Sequence, residues 1–589
     1  MKHLLPLLII VNLMLPTPLF ALETAASDAN DIRVLIDTSG SMKQNDPRNL
    51  RVPALKLLVN LLPAGQRAGL WIFDAKAQPL VPPGIIDESW KTQALKAAEQ
   101  INSRGLFTDI EAVLRASSQD WTSPATQPDK RHIILLTDGM VDVSKNPSDS
   151  KASLERIQTE LLPQLQQAGV QIHTIALSSQ SDQELMRQLA ISTGGWNETA
   201  DAAERLQRIF VQMFNKTTPH DSVPIKDNQF SVDGNIKEFT VMVLLHPGSK
   251  PTRLIAPDRS ALTQQQLLMN AKWVHEDGYD LVTVPNPAAG QWKLEADVDP
   301  ANQVLVVTDL KMVPVPLPSH ATPEEKLAIS VQFTENGEPI KRDDFLKLLT
   351  VKAALGEAEH PQEFTLERSI GQPDLFVHQL ADPLKPGKYT LSLLADGKTF
   401  QREYNQTFEI IDSPITVTTA TVTEGETPHV MITLTPDAQV IDLQNLAIHA
   451  RLADAQGQSA DTEAVRNGDV WQLALNLPQP GERIFVNFAI SAKTPDGTDL
   501  HVELKPVTVG ETASEHAQPH EEGHQAAEPD HPPAQPEPPA DSSEVNWTKT
   551  LGITIAINLL IGAVAYGVNR MLRKRSAANI DDILNQLNH

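Results

Sequence analysis

Five oxygen-bearing residues stand out by type and spacing. Asp37, Ser39 and Ser41 alternate along one stretch, Thr108 follows Gly105-Leu106-Phe107, and Asp138 precedes Gly139. Alternation in an extended turn directs the side chains of Asp37, Ser39 and Ser41 toward one point. Three hydroxyls and two carboxylates make an all-oxygen shell. Such a shell suits a hard divalent cation, Mg²⁺ foremost with Mn²⁺ or Ca²⁺ as substitutes, and waters fill the gaps. The hydroxyls are neutral, and some carboxylates act only through water, so the cation is poorly neutralised and one position stays open. A carboxylate from outside completes the shell. The expected chemistry is therefore capture of a protein ligand offering an Asp or Glu. Taken singly, Ser39 and Ser41 are also helix-capping residues, and Asp138 before Gly139 is also a turn residue. Asp109 reads as an acid in the first turn of a helix with no metal role.

A second constellation competes for attention. His520-Glu521-Glu522-Gly523-His524 has the H-E-x-x-H spacing of zinc peptidases, which works only where a helix sets both histidines on one face. Here Pro519 precedes it, Gly523 lies inside it and Pro529 follows, with no apolar helix face around it. A metallopeptidase is thus the weakest functional reading; loose Zn²⁺ or Ni²⁺ binding by His516, His520, His524 and His531 is the milder alternative. No Ser/His/Asp set, phosphate loop or paired-acid cleft is visible, and a non-enzymatic protein is expected. With no cysteine, thiol nucleophiles, Cys-ligated zinc, iron–sulfur clusters and disulfides are excluded. A net charge of −25 argues against nucleic acid as a partner.

The elements that must position the five oxygens alternate between strand and helix. Ile32–Ile36, Ala68–Phe73, His132–Leu136 and Val170–Leu177 read as buried strands. Val52–Leu62, Trp90–Ile101, Asp109–Ser117 and Ala152–Gln167 read as helices. This order predicts a doubly wound α/β domain, a parallel sheet with helices on both faces, over residues 30–215. Ligands of such sheets bind beyond the carboxyl ends of the strands, where Asp37 and Asp138 fall.

Asp37-x-Ser39-x-Ser41, with Thr108 and Asp138 at these separations, resembles the von Willebrand factor type A domain and its metal-ion-dependent adhesion site. Leu189-Ala190-Ile191-Ser192-Thr193-Gly194-Gly195 and a following helix ending near Phe210 extend the resemblance. It implies Asp37, Ser39, Ser41, Thr108 and Asp138 as metal ligands and adhesion to a protein as the activity. The family often has a tight Gly-Gly-Thr, whereas Leu106 and Phe107 separate Gly105 from Thr108 here. The resemblance covers about a third of the chain.

The rest of the chain organises this domain in space. After residue 220 the apolar period becomes two. Alternating strands at 292–296, 389–393 and 484–488 each follow a proline and a glycine, and Gly290, Gly387 and Gly481 recur at near-equal intervals. Three copies of one immunoglobulin-like β-sandwich are expected, over 220–310, 311–412 and 413–510. Residues 511–546 are rich in Pro, Glu, Ala and His and read as a disordered linker. Residues 1–21 read as a signal peptide, and 549–569 as one transmembrane helix followed by basic Arg570, Arg573, Lys574 and Arg575. These ends predict a single-pass protein of a bacterial inner membrane with its bulk exported and residues 570–589 cytoplasmic. Ile580, Ile583, Leu584 and Leu587 recur at helical spacing, a candidate docking face for a cytoplasmic partner. The functional reading is a membrane-anchored binding protein; the alternative is a scaffold of a cell-envelope complex whose metal site is not adhesive.

Overall fold

The computed structural model describes residues 30–121, 130–178, 181–200, 202–218, 220–268, 270–323, 325–356, 361–380, 382–424, 427–453, 459–478, 483–494, 499–500, 502 and 504–510. The signal peptide, the linker with His520 and His524, the 549–569 segment and the tail lie outside them. Among the described residues no helix is long and apolar enough to cross a membrane.

The N-terminal domain is built on a six-stranded sheet: β1 (Asp31–Asp37), β2 (Arg67–Phe73), β3 (Ala77–Ile85), β4 (Arg131–Thr137), β5 (Val170–Ala176) and β6 (Asn197–Thr199), in the order β3-β2-β1-β4-β5-β6. β1 lies between β2 and β4 and is parallel to both. Its near-continuous apolar run is what a strand covered on both faces needs. Val34 and Ile36 pack into one core with Leu55, Leu58, Phe210 and Phe214. Leu35, pointing the other way, joins Ile133, Val113, Leu114 and Leu185 on the opposite face.

The covering helices are α1 (Arg51–Leu61), α2 (Glu88–Ala98), α3 (Ile110–Ser118), α4 (Pro147–Arg156), α5 (Leu162–Gln167), α6 (Gln183–Thr193) and α7 (Leu206–Thr217). Several starts are fixed by caps. Asp87, Asp109 and Asp182 accept from the backbone N–H groups of Trp90, Ala112 and Leu185, satisfying donors that the first turn leaves orphaned. Gly194, left-handed at φ +69°, ends α6. Between α4 and α5 a π turn spans Ile157–Leu161. Pro163 explains it: proline has no N–H for the carbonyl four residues back, and its ring crowds that group. The carbonyl of Thr159 accepts instead from Ser459 Oγ at 2.9 Å.

Two local expectations change. β3 is antiparallel to β2 with register shifts, so the sheet is mixed. Its Pro79, Pro82 and Pro83 suit only an edge strand, because prolines cannot donate to a ladder. The last helix does not end near Phe210 but runs to Thr217, since Met213 and Phe214 extend its buried face.

Among the described residues five further sheets follow. Residues 221–308 surround a core in which Phe239 makes edge contacts with Phe230 and Trp292 at 5.4 and 5.0 Å. Residues 310–410 and 415–509 each enclose a separate core. The latter two share one strand order: Gly387–Asp396 lies between Thr350–Gly356 and Gln401–Ile410, and Ile484–Lys493 between Ala447–Ala453 and Val507–Val509. The strand Gly290–Glu295 instead lies between Arg253–Ile255 and Gln229–Val232. The first region therefore does not place its alternating strand as the other two do. A Pro/Gly turn before an alternating strand fixes local geometry but not the partner strand. The first two regions also share a sheet, through Ser222 opposite Glu403.

All three β regions touch the α/β domain. Arg208 pairs with Asp299 at 2.9 Å, Arg187 with Glu409 at 3.2 Å, and the Gln166 and Asn487 amides exchange bonds at 3.2 and 3.0 Å.

Candidate metal centre

The site forms where β1 and β4 end side by side. Thr38 anchors the turn after β1 by donating both its N–H and its hydroxyl to the Phe73 carbonyl, at 2.8 and 2.9 Å. Ser39, Ser41 and Asp138 are brought together. Ser41 Oγ donates to Asp138 Oδ1 at 2.8 Å, the two serine hydroxyls are 3.0 Å apart, and Ser39 Oγ is 3.5 Å from the same carboxylate oxygen. Oxygens held about 2.1 Å from Mg²⁺ in an octahedron are about 3.0 Å from their neighbours. Two edges of the triangle, 2.8 and 3.0 Å, match one face of such a shell and the third, 3.5 Å, is longer, so the oxygens fit a small hard cation that would draw Ser39 inward.

The ordinary roles of the same residues are not the ones they play. Ser41 stands at the start of the short helix Met42–Asn45 but makes no side-chain cap bond. The turn at Asp138 is closed by Thr137, whose hydroxyl accepts from Gly139 N at 3.2 Å, leaving the Asp138 carboxylate facing the serines. Asp109 caps α3, as its position at a helix start suggested.

Asp37 is fully buried behind this triangle. Its Oδ1 accepts from Ser39 N at 2.7 Å and its Oδ2 from Thr137 Oγ1 at 2.5 Å. Burial pushes its pKa up to about 6 against the pull of these bonds, and neighbouring Asp138 adds to the rise. With both oxygens held by the protein, Asp37 is placed to order the turn and to act through water.

Thr108 arrives from another loop. Its backbone pairs with Asp142 in both directions, at 2.7 and 3.1 Å. Its hydroxyl lies so near Gly139 that a Cβ there would be 3.2 Å away. The Leu106-Phe107 insertion therefore leaves Thr108 beside the Asp138 turn, because the Asp142 ladder anchors it. Gly105 is required for the approach of its loop: a Cβ there would come within 2.3 Å of Asp74 Cβ and 2.9 Å of the Thr38 carbonyl.

Three supporting residues escaped the sequence reading. Asn45 Nδ2 donates to Asp138 Oδ2 at 2.9 Å, orienting that carboxylate. Thr137 holds Asp37 as described. Arg51, fully buried, donates to the Asp37 carbonyl at 3.0 Å and to Ser103 Oγ at 2.6 Å, and its Nε lies 3.4 Å from Asp46. Thr137 adjoins Asp138 and was findable. Arg51 looks like an ordinary first-turn residue, and nothing local marks it. Among the described residues no group of three or more His, Asp or Glu side chains could hold a metal, so a cation here must lean on hydroxyls. Leu106 and Met140, on the two loops that meet at this rim, are 84% and 61% exposed.

Comparison with known proteins agrees with the fold. Residues 31–212 match the von Willebrand factor type A domain family. A "UPF0353 protein" of Mycolicibacterium gilvum is 26% identical over 243 residues, spanning 36% of this chain and 69% of its own length. Among solved structures, a von Willebrand factor type A protein from Catenulispora acidiphila is 14% identical with a TM-score of 0.28, matching 53% of this chain and 64%, less than two thirds, of that one. The conserved hypothetical protein BatB from Bacteroides thetaiotaomicron is 17% identical with a TM-score of 0.24, matching 32% of this chain and 98% of its own. The chain thus carries an N-terminal von Willebrand factor type A domain followed by β-sheet regions.

Proposed function

We propose that this is a non-enzymatic binding protein whose von Willebrand factor type A domain grips a protein partner through a divalent cation. The triangle of Ser39, Ser41 and Asp138 oxygens, with edges of 2.8, 3.0 and 3.5 Å, supports this reading most strongly. Ser39, Ser41 and Asp138 would hold the ion directly. Thr108 would contribute its hydroxyl from the Gly139 side, and Asp37 would act from behind through water. A bound Mg²⁺ would bring two positive charges against the one carboxylate, Asp138, that touches it directly, which favours an incoming Asp or Glu. Exposed Leu106 and Met140 would meet apolar side chains flanking that acid.

The same reading places the protein in a bacterial inner membrane by its 549–569 segment, with a signal peptide at 1–21 and the β regions over 220–310, 311–412 and 413–510 carrying the domain outward. The 580–587 face is left for a cytoplasmic partner.

Calorimetric titration of the full chain with MgCl₂, followed by capture from envelope extracts with and without EDTA, tests the proposal. Asp138→Ala is expected to abolish Mg²⁺ binding and to reduce cation-dependent capture at least tenfold, with an unchanged circular dichroism spectrum. Capture that survives both EDTA and Asp138→Ala would sink the adhesive mechanism and favour a scaffold with a non-adhesive site. An activity lost on His520→Ala but kept in Asp138→Ala would point to the peptidase.

A further inference from the structure

At the amino ends of β4 and β5, opposite the metal rim, a cavity of about 530 Å³ lies between the α/β domain and the second β region. Its size is that of a small-molecule site, for which roughly 300–1,000 Å³ is usual. Three lysines (Lys130, Lys216, Lys505) and three histidines (His132, His173, His320) line it. Among the described residues its wall contains no Asp or Glu, although the chain carries 74 acids against 49 lysines and arginines. Three acids just outside are engaged: Glu409 pairs with Arg187 at 3.2 Å and lies 3.6 Å from His320 Nε2, Glu198 pairs with Lys388 at 3.0 Å, and Glu325 with Lys505 at 2.6 Å.

The polar atoms of the wall show what is missing. His320 is 3% exposed, stacks on Trp196 at 5.8 Å, and has no hydrogen-bond partner for either ring nitrogen. The buried oxygens Gln212 Oε1 and Asn215 Oδ1 also lack donors. Such orphaned groups are costly unless something in the cavity meets them. Burial and neighbouring cations drive His320 down to about 3, so its ring is neutral and offers one donor and one acceptor. Lys216 donates to the Thr407 carbonyl, lies 4.3 Å from the Trp196 ring centre, and is pushed down to about 7 by burial and then by Lys388. The cationic wall wants negative charge, while the orphaned carbonyl oxygens want donors. One ligand that brings both is an oxyanion bearing hydroxyls.

We propose that this cavity binds a small hydroxylated oxyanion, of the size and chemistry of a monosaccharide phosphate or a sugar acid. Lys130, Lys216 and Lys505 face its anionic group, and His320, Gln212 and Asn215 bond its hydroxyls. The site is separate from the metal rim and does not depend on the adhesive reading.

The test is calorimetry on the full chain at constant ionic strength with glucose 6-phosphate, glucuronate and glucose. At least one of the two anions is expected to bind at least tenfold more tightly than glucose, and their ratio assigns the head group. Lys505→Ala and Lys130→Ala, on half-buried side chains, should each weaken binding at least threefold. Lys216→Met should weaken it at least tenfold. If Lys216→Met fails to fold, His320→Phe, which keeps the stacked ring and removes both nitrogens, should still lower affinity at least fivefold. Asp138→Ala should bind the anion as wild type does. Absence of binding by both anions at millimolar concentration, equal binding of glucose, or affinity unmoved by the lysine and His320 variants would each overturn the proposal.

Discussion

The two ends of strand β4 make opposite electrostatic environments within one sheet. At its carboxyl end Thr137 and Asp138 join Ser39 and Ser41 in a cluster of oxygens suited to a cation. At its amino end His132 joins His173, Lys216 and His320 around a cavity with no Asp or Glu among its described wall residues, the proposed anion site. From His132 to Asp138 is six residues, about 20 Å of extended chain. The upper cluster is closed by local turns and short hydrogen bonds. The lower one is assembled from residues between Asn30 and Lys505 and contains polar atoms with no partner. Polar groups satisfied by one another form a rigid receptor. Groups left unsatisfied mark a place where a ligand must supply what the protein omits.

Three perturbations press on this contrast. Arg51→Ala should have the largest effect. It removes the buried cation tying the Asp37 carbonyl to Asp46 and Ser103, at a cost of about 3–5 kcal/mol, measured by urea unfolding. Cation affinity should fall and anion affinity should not. A loss under ~1 kcal/mol would show that the buried arginine is dispensable.

Gly105→Ala should cost about 1–3 kcal/mol, because the added methyl meets Asp74 and forces the loop away. Mg²⁺ titration should show weakened binding as Thr108 shifts with that loop. Unchanged Mg²⁺ affinity would remove Thr108 from the ligand set.

The smallest effect concerns the lower end and pH. Lys216 sits at about 7 when folded against its ordinary 10.5. Between these values the unfolded chain holds a proton that the folded one lacks, so stability should rise with pH across this window and level off below about 7. The gain between pH 7.5 and 9.5 should be at most about 2.5 kcal/mol and absent in Lys216→Met. Thermal melts of both proteins decide it; parallel curves would mean that the ammonium is well solvated. Tyr279 and Tyr404 are both raised by burial, Tyr404 to about 12, and act only at higher pH.

Much of the upper site was legible because its signals are local. Asp37, Ser39 and Ser41 follow a strand of apolar residues, and a strand end at 136–138 is visible from His132–Leu136 alone. Asp138 was foreseeable as the residue beyond that strand. Asn45 was not: it lies in a four-residue helix that begins after Ser41, and only the folded turn aims it at Asp138. The edge strand β3 was hidden by its three prolines, which read as loop until an edge position is known. The β regions were legible as strands but not as partners, as the displaced role of Gly290–Glu295 shows.

Side-chain period, turn residues and a short oxygen motif are properties of neighbours along the chain, and the sequence alone settles them: an α/β domain, then β regions, with hydroxyls and acids at strand ends. Which distant groups share a space is settled by packing of sheets and helices, because contacts between residue 187 and residue 409, or 216 and 407, carry no local signal. The oxygen triangle was foreshadowed by spacing. The lysine- and histidine-lined cavity beneath the same strand exists only because the second β region packs over the domain.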